Sequence, residues 1–408
     1  MQKASARRVV RIVSVLALLG GLTMTTQQAS DAQEAGVRAG ATLPFITAID
    51  TMKESMDTLN NRLTPVQIAN DVQVASSLHA NYVTVDTPYD YPDYAQQWVD
   101  AIRAAGKHVW FRMSWNAWLG MYDVPGTMTP GGFEAATRAF IMAHPAMFRA
   151  GDVFDICPEP EQGKYWALTY GVSWDWSPMI PNAATTAYNA FVRDGTVLAQ
   201  NTFQQIGVKG VITTIRSMTP FVIEHDLEPA TVSLLGQVTG DSFPEGVTIE
   251  PVAATNARIS ELQAMEAAWP VPVVLGEMGY STAALVNDIQ QEAVLRAEFT
   301  ALRAIPYLAG VNYWVGAGYQ TPDQYNGTRL FSGTTGAWSP RPAATDLATF
   351  FSAESPISPS PTTPPASTGV ATSTASPAMS PVTSSQTATP SPCGKHATCR
   401  IFAAALQS

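Results

Sequence analysis

The feature that most constrains the fold is a repeated alternation of short apolar runs and amphipathic stretches along most of the chain. Eight apolar runs have the length and composition of buried strands, and a segment with helical spacing follows each of them. The predicted strands are Leu43–Ile49, Tyr82–Val85, His108–Met113, Val153–Cys157, Val208–Ile215, Val238–Phe243, Val271–Gly276 and Leu308–Val315. Strands joined through helices are parallel with right-handed crossovers, and eight such units close most simply as an α/β fold, the (β/α)8 TIM barrel. An open doubly wound sheet is the alternative, but no glycine-rich phosphate loop follows the first strand.

Residues 1–32 have the three parts of a secretory signal peptide. A basic start precedes an apolar run, Ile12–Leu22, and Ser30-Asp31-Ala32 supplies a small-x-small cleavage site. An uncleaved membrane anchor is the alternative, but the apolar run is short for a membrane span. We therefore expect a secreted, extracellular protein with no membrane partner after cleavage, in which residues 33–40 are a disordered lead-in to a barrel at residues 41–353.

The chain beyond the barrel has a different composition. Residues 354–392 are rich in Ser, Thr, Pro and Ala and carry few large apolar side chains, so we expect a disordered tail or linker. Residues 393–408 are too few for a core of their own and form a short C-terminal remnant. Three cysteines in the whole chain cannot hold the fold together. Cys157 is expected to be a buried thiol, and Cys393 and Cys399 are close enough in sequence to pair.

The charge balance bears on the partner. Lys and Arg number 23 against 33 Asp and Glu, which gives a formal net charge of −10. This balance argues against nucleic acid or an anionic membrane as the main partner. The five histidines show no metal-ligand spacing, so neither a metal nor another cofactor is predicted. We expect a monomer that acts on a neutral substrate.

In a barrel of this kind the active site lies at the C-terminal ends of the strands. The polar residues predicted there are Asp50, Asp86, Asn116, Glu159, Glu161, Asp241, Glu277 and Asn312. Glu159 directly follows the fourth strand and Glu277 directly follows the seventh. These two strands lie across the mouth of the barrel from each other, so their carboxyl groups can flank one bond, as glycoside hydrolysis requires.

The segments around these glutamates resemble those of the clan A glycoside hydrolases. Pro158-Glu159-Pro160 is similar to the Asn-Glu-Pro acid/base motif, and Val273–Gly279 is similar to the nucleophile strand. Asp241-Ser242-Phe243-Pro244 resembles the Asp-x-Tyr-Pro segment, and Gly310–Trp314 resembles the strand whose Trp floors the subsite at the cleaved bond. The resemblance spans about residues 41–350. It implies a retaining β-glycosidase with Glu159 as acid/base and Glu277 as nucleophile.

The chain departs from the clan pattern at two positions. Pro158 stands where the clan has Asn, so the usual hydrogen bond to the sugar 2-hydroxyl has to come from elsewhere. Phe243 stands where the clan has Tyr, so another group, for which Tyr280 is the candidate, has to orient the nucleophile. Glu161 is the rival acid/base and is otherwise expected to contact substrate at the rim. Arg112, on the third strand, is expected to help keep Glu277 ionised.

Aromatic side chains are expected to complete the substrate site, because the apolar faces of sugar rings stack on Trp and Tyr. The predicted substrate-binding residues are Asn116, Trp115, Trp166, Trp174 and Trp314 together with Glu161, Tyr280 and Arg112. The function predicted from the whole pattern is a secreted retaining glycoside hydrolase that cleaves a β-linked oligo- or polysaccharide. The alternative is a catalytically silent barrel that binds polysaccharide. A metal-dependent barrel hydrolase is disfavoured by the absence of paired histidine ligands.

Overall fold

The computed structural model describes residues 45–115, 128–162, 164–171, 183–218, 227–235, 237–242, 250–268, 271–280, 287–317 and 328–354. Within them eight parallel strands form a closed barrel in chain order, with the first strand paired to the last. The strands are β1 Ile46–Asp50, β2 Tyr82–Val85, β3 His108–Phe111, β4 Val153–Pro158, β5 Ile212–Met218, β6 Val238–Ser242, β7 Val273–Met278 and β8 Leu308–Tyr313. The predicted (β/α)8 barrel is confirmed.

Helices surround the barrel. Those in the described residues are α1 Met52–Ser55, α2 Pro65–Ser77, α3 Pro92–Ala104, α4 Pro130–Ala143, α5 Lys164–Tyr170, α6 Ala183–Gln205, α7 Pro229–Val232, α8 Pro251–Ala268, α9 Asp288–Leu302 and α10 Pro342–Glu354. Two 3₁₀ turns, Pro145–Met147 and Pro160–Gln162, flank β4. None of the helices in these ranges is long and apolar enough to cross a membrane.

The terminal predictions fall on residues that the structure does not describe. These are the signal peptide, the lead-in, the remnant with Cys393 and Cys399, and the tail apart from Glu354, which ends α10. Cys157 is described, and it is a buried free thiol as expected.

The apolar side chains form two layers. The larger cluster lies between the barrel and the surrounding helices. A smaller cluster fills the inside of the barrel, and its members are Ile46, Ala48, Tyr82, Trp110, Val153 and Val274. Alternate residues of each strand face the inside of the barrel. Those in this cluster are apolar, and the inward-facing residues nearer the C-terminal ends of the strands are polar.

Local sequence signals explain several boundaries. Thr64 caps α2 through a capping box with Gln67, and Pro65 occupies the first turn, as the Thr-Pro pair predicts. The start of β5 is later than predicted. Gly207 and Gly210 both have positive φ, 79° and 77°, so the chain turns there and the strand begins only at Ile212. It then continues through Arg216 to Met218.

A hairpin of β9 Phe331–Thr334 and β10 Ala337–Pro340 follows the barrel strands and was not predicted. Its Trp338 donates a hydrogen bond of 2.6 Å from Nε1 to Asp71 Oδ1 on α2. Burial raises the pKa of Asp71 to about 7, and the hydrogen bond from Trp338 lowers it in part. The hairpin is thus attached to α2 through a carboxyl group that favours its neutral form.

Asp71 predicts a pH dependence of stability. Its pKa is near 7 in the folded state and near 3.8 as an ordinary Asp, so between these values the folded chain binds more protons than the unfolded chain. Stability therefore falls as pH rises through this window, by up to about 1.4 kcal/mol per pH unit. Asp71→Asn, which can still accept from Trp338, should raise the melting temperature at pH 8 and much less at pH 4.

Asp93→Asn is the matched control. Arg62 donates to Asp93 and lowers its pKa, so its contribution is present at neutral pH and is lost as pH falls. The control should slightly lower the melting temperature at pH 8. Equal gains for Asp71→Asn at both pH values would contradict the account of Asp71.

Candidate active site

Each of the eight barrel strands carries a polar side chain at its C-terminal end or directly after it. The eight residues, in strand order, are Asp50, Asp86, Arg112, Glu159, Arg216, Asp241, Glu277 and Asn312. Arg112 and all the carboxyl groups except that of Glu159 are buried, and Glu159 retains 25% of its side-chain exposure. We call this set the mouth ring.

A β-bulge aims Glu277 into the barrel. Gly240 of β6 pairs with Leu275 of β7, and the next residue, Asp241, pairs with Glu277. Gly276 is therefore an extra residue in β7. With regular alternation Glu277 would face the helices, and the bulge turns it to the inner face of the barrel. A Cβ atom on Gly276 would lie 2.5 Å from Thr239 Cγ2 and 2.7 Å from Asp241 Oδ1. Only glycine fits at this position.

Glu277 is held by two arginines. Arg112 Nη2 and Arg216 Nη1 both donate to Glu277 Oε1. Arg112 also donates to Asp50 Oδ2, and its Nε lies 3.5 Å from Asp86 Oδ1. The expected contact between Arg112 and Glu277 is therefore present. Because the Arg112 side chain is fully buried among carboxylates, it supports Glu277 and does not itself reach a substrate.

Glu159 sits in an unusual backbone conformation after β4. Its φ is 42°, in the left-handed region that non-glycine residues seldom adopt. Its N–H donates to the Arg216 carbonyl oxygen at 2.8 Å, and its Oε2 accepts from Arg216 Nη2 at 3.4 Å. The pairing of β4 with β5 also shifts between Asp155 and Pro158. Backbone strain of this kind concentrates at functional sites.

Arg216 brings the two glutamates together. Its two terminal nitrogens contact Glu159 and Glu277, so the nearest oxygens of the two carboxyl groups lie within roughly 8 Å of each other, given the span of one guanidinium. Two carboxyl groups act on one glycosidic bond at separations of about 5 to 9.5 Å. Arg216 was not among the predicted site residues although it directly follows the predicted fifth strand, because the prediction selected carboxyl and amide side chains at the strand ends.

The electrostatics separate the roles of the two glutamates. Partial burial raises the pKa of Glu159, Arg216 lowers it in part, and the charge of Glu277 raises it further. Glu159 therefore holds a proton more readily than an ordinary glutamate does. Glu277, by contrast, is ion-paired to two guanidinium groups. A carboxyl group with a raised pKa beside an ion-paired carboxylate is the arrangement of a paired-carboxylate site.

Deeper in the barrel, Asp155 extends the polar set. Its Oδ2 accepts from Trp110 Nε1 at 3.2 Å. Burial raises its pKa to about 6, against the lowering effects of Arg216, Arg112 and Trp110. Burial also raises the pKa of Asp86 well above its ordinary value, again opposed by Arg216. Asp155 below the mouth ring and Asp86 within it therefore take up protons more readily than ordinary aspartates do.

Glu161 does not occupy the rim position expected for it. Its side chain is 2% exposed, and its Oε2 accepts from Tyr188 on α6 at 3.3 Å and from Ser217 on β5 at 3.2 Å. The 3₁₀ turn Pro160–Gln162 carries Glu161 inward, into contact with α6 and β5. Its contacts instead attach the segment bearing Glu159 to the strand bearing Arg216.

The aromatic predictions divide by burial. Trp166 is completely buried and packs against Tyr188 and Phe191, so the expectation that it stacks on a sugar is wrong for this structure. α5 turns its indole into the core. Tyr280 is also fully buried, which makes direct substrate contact by it wrong as well. Asn116 and Trp174 lie outside the described residues.

Trp314 and Trp115 remain closer to the mouth. Trp314 follows β8, is joined to Val315 by a cis peptide bond and is 7% exposed. Its Nε1 points to Met52 Sδ at 3.4 Å, and Lys53 Nζ lies 5.9 Å from its ring centroid. Trp115 is partly buried and stacks at a tilt on Tyr89. Both remain predicted substrate contacts.

Arg258 fixes the ends of β6 and β7. It lies on α8, donates from Nη1 to the Ser242 carbonyl and from Nη2 to the Gly279 carbonyl at 3.4 Å. Glu298 on α9 pairs with its Nε at 3.2 Å. The end of β6 and the segment that follows Glu277 are thus held by the helices behind them. Among the described residues no His, Cys, Asp and Glu group has the arrangement of a metal site.

No family model matches the chain, and no curated protein matches it in sequence. Solved structures match it in fold. A GH5_18 protein from Bifidobacterium longum subsp. infantis has a TM-score of 0.58 at 13% identity, over 78% of this chain and 80% of that chain. A β-glucuronidase from Ruminococcus gnavus, in complex with D-glucaro-d-lactam, has a TM-score of 0.53 at 14% identity, over 76% and 49%.

A β-glucuronidase from Bifidobacterium dentium, complexed with coumarin-3-O-glucuronide, has a TM-score of 0.54 at 15% identity, over 76% of this chain and 46% of that chain. The chain spans about half the length of these two glucuronidases. At such identities the likeness establishes the fold. The chain has the (β/α)8 barrel fold in common with these solved structures.

Proposed function

We propose that this protein is a secreted retaining glycoside hydrolase that cleaves a β-linked oligo- or polysaccharide. The observation that carries the proposal is the pairing of Glu159 and Glu277 across one guanidinium, with Glu277 ion-paired to two arginines and Glu159 inclined to hold a proton. The glycosidases among the structures of similar fold support it.

The reaction follows from the two charge states. The ionised carboxylate of Glu277 attacks the anomeric carbon while the bond to the leaving oxygen breaks, and the proton of Glu159 passes to that oxygen. A neutral glycosyl ester of Glu277 and an ionised Glu159 result. Water then attacks the anomeric carbon, Glu159 takes its proton, and Glu277 leaves as a carboxylate. The pair returns to its starting protonation state.

The substrate is proposed by class. Trp314 lies next to the mouth ring after β8, where it can floor the subsite at the cleaved bond, and Trp115 can extend the surface after β3. A screen should contain aryl β-glycosides of glucose, mannose, xylose and galactose, the corresponding glucans, mannans and xylans, and β-glucuronides, on which neighbours in fold act.

Removal of the nucleophile is the first test. Glu277→Gln should lower kcat by at least about 10³-fold on the best substrate of the screen, because the amide cannot form the glycosyl ester. The variant should still fold, with a lower melting temperature, because Arg112 and Arg216 lose a charged partner that they share. A wild-type protein that cleaves nothing in the screen, yet binds one of its glycans, would instead support the catalytically silent barrel. Pro158, where the clan has Asn, is the residue that favours that second candidate.

The pH profile tests the assignment of the acid/base. Glu159→Gln should lower kcat/KM by about 10² to 10⁴-fold for substrates with poor leaving groups. The loss of rate at high pH should disappear with it, because deprotonation of Glu159 causes that loss. Dinitrophenyl glycosides, whose leaving group needs no proton, should suffer least. Glu161→Gln is the matched control and should keep the alkaline limb. If Glu161→Gln removes the limb and Glu159→Gln keeps it, the roles are reversed.

Export is part of the proposal and has its own test. A full-length chain expressed in a secreting bacterial host should appear in the medium with Gln33 as its first residue, because cleavage is expected after Ala32. N-terminal sequencing measures this directly. A chain that keeps its first residues and sediments with membranes would indicate an anchor. Lys3→Ser is the control. It removes one positive charge from the basic start, so it should slow export without moving the cleavage site.

A further inference from the structure

Arg216 differs from every other described arginine in contacting both proposed catalytic glutamates. Its Nη1 is shared by Asp241 Oδ2, at 2.8 Å, and Glu277 Oε1, and its Nη2 faces Glu159 Oε2 at 3.4 Å. Its side chain is 5% exposed. A single buried cation therefore connects the ends of β4, β6 and β7.

Arg112 provides an internal comparison. It too is buried, and it too contacts three carboxylates, those of Asp50, Asp86 and Glu277. It shares Glu277 with Arg216 but does not contact Glu159 within the part of the chain that the structure describes. The two arginines thus differ in one relevant contact.

The proposed reaction moves a negative charge between the two glutamates. When the bond from Glu277 to the anomeric carbon forms, its carboxylate becomes a neutral ester. When Glu159 gives its proton to the leaving oxygen, it becomes an anion. The pair carries one negative charge before and after this step, but the charge has crossed the site. A cation placed against only one glutamate would favour only one of these two states.

We infer that Arg216 is a shared counter-ion that faces the negative charge in both halves of the reaction, first on Glu277 and then on Glu159. This inference rests on the proposed function, and it assigns to Arg216 a positioning role that acts through the two glutamates. Because its guanidinium nitrogens already point at both carboxyl groups, no rearrangement of the protein is needed when the charge moves. The Arg216 side chain is only 5% exposed and Glu159 is 25% exposed, so the new anion has a fixed charged partner in addition to any water that reaches it.

The charged groups that act on Glu159 define what a variant should change. They are Arg216 on β5, Glu277 on β7, Asp241 on β6 and Arg112 after β3. Of the two cations, only Arg216 is in contact. Arg216→Lys keeps one positive charge, but a single ammonium bound between Asp241 and Glu277 cannot also reach Glu159. The variant should therefore deprive Glu159 of its cation while leaving the total charge unchanged.

The decisive measurement is the titration of Glu159 in protein labelled with ¹³C at glutamate carboxyl groups, with its signal assigned by Glu159→Gln. In Arg216→Lys the pKa of Glu159 should rise by about one unit or more, since a contacting opposite charge has been withdrawn. In the matched variant Arg112→Lys it should stay at the wild-type value. Equal shifts in the two variants, or no shift in Arg216→Lys, would overturn the inference.

A replacement variant and a kinetic measurement test the same role of Arg216. If Arg216→Lys does not fold, the double variant Arg216→Gln with Asp241→Asn removes one cation and one anion together and is titrated in its place. The rise expected there is smaller, because the lost charge of Asp241 itself raised the pKa of Glu159. In kinetics, Arg216→Lys should slow substrates with poor leaving groups at least tenfold more than dinitrophenyl glycosides. A merely structural role would slow both alike. Failure of the wild type to cleave any glycoside would reject the proposed function, while the titration would still decide whether Arg216 controls Glu159.

Discussion

The site depends on two buried guanidinium groups placed inside a ring of carboxylates. Like charges at these distances repel strongly in a medium of low polarity, so the mouth ring could not assemble from its acidic members alone. Arg112 forms ion pairs with Asp50, Asp86 and Glu277. Arg216 forms ion pairs with Asp241, Glu277 and Glu159. Glu277 is the member common to both groups, so it links the two arginines.

Strand irregularity is the second requirement. Regular alternation along a parallel strand decides which side chains face the barrel interior, and it would turn Glu277 towards the helices. The extra residue Gly276 in β7 corrects this, and a comparable shift precedes Glu159 in β4. The helices then secure the corrected geometry from behind, through Arg258 on one side and through the contacts of Glu161 with Tyr188 and Ser217 on the other.

The architecture and the positions of the glutamates were accessible from sequence because each rests on a local pattern. Apolar runs that end in a carboxylate indicate where a parallel strand stops and which residue faces the mouth. Arg216 also directly follows an apolar run, but it is a cation, and the sequence does not show that a buried cation contacts both glutamates. Gly207 and Gly210 moved only the start of β5, by four residues. Trp166 and Glu161 were misplaced for a related reason. Sequence shows that an aromatic or a charge is near the site, but the helical turns after Pro160 determine which way it points.

The hydrogen bond from Asn312 to Asp50, 3.1 Å long, joins residues 262 positions apart. It lies where the last strand meets the first, and Asn312 also donates to the Gly276 carbonyl at 2.8 Å. The bulge that presents Glu277 is therefore supported by a contact that exists only once the whole chain has come round to its beginning. Contacts this distant in sequence have a high entropic cost of formation. Because Asn312 lies on the last strand and Asp50 on the first, this support for Glu277 exists only in the closed barrel, so competence for chemistry depends on completion of the fold.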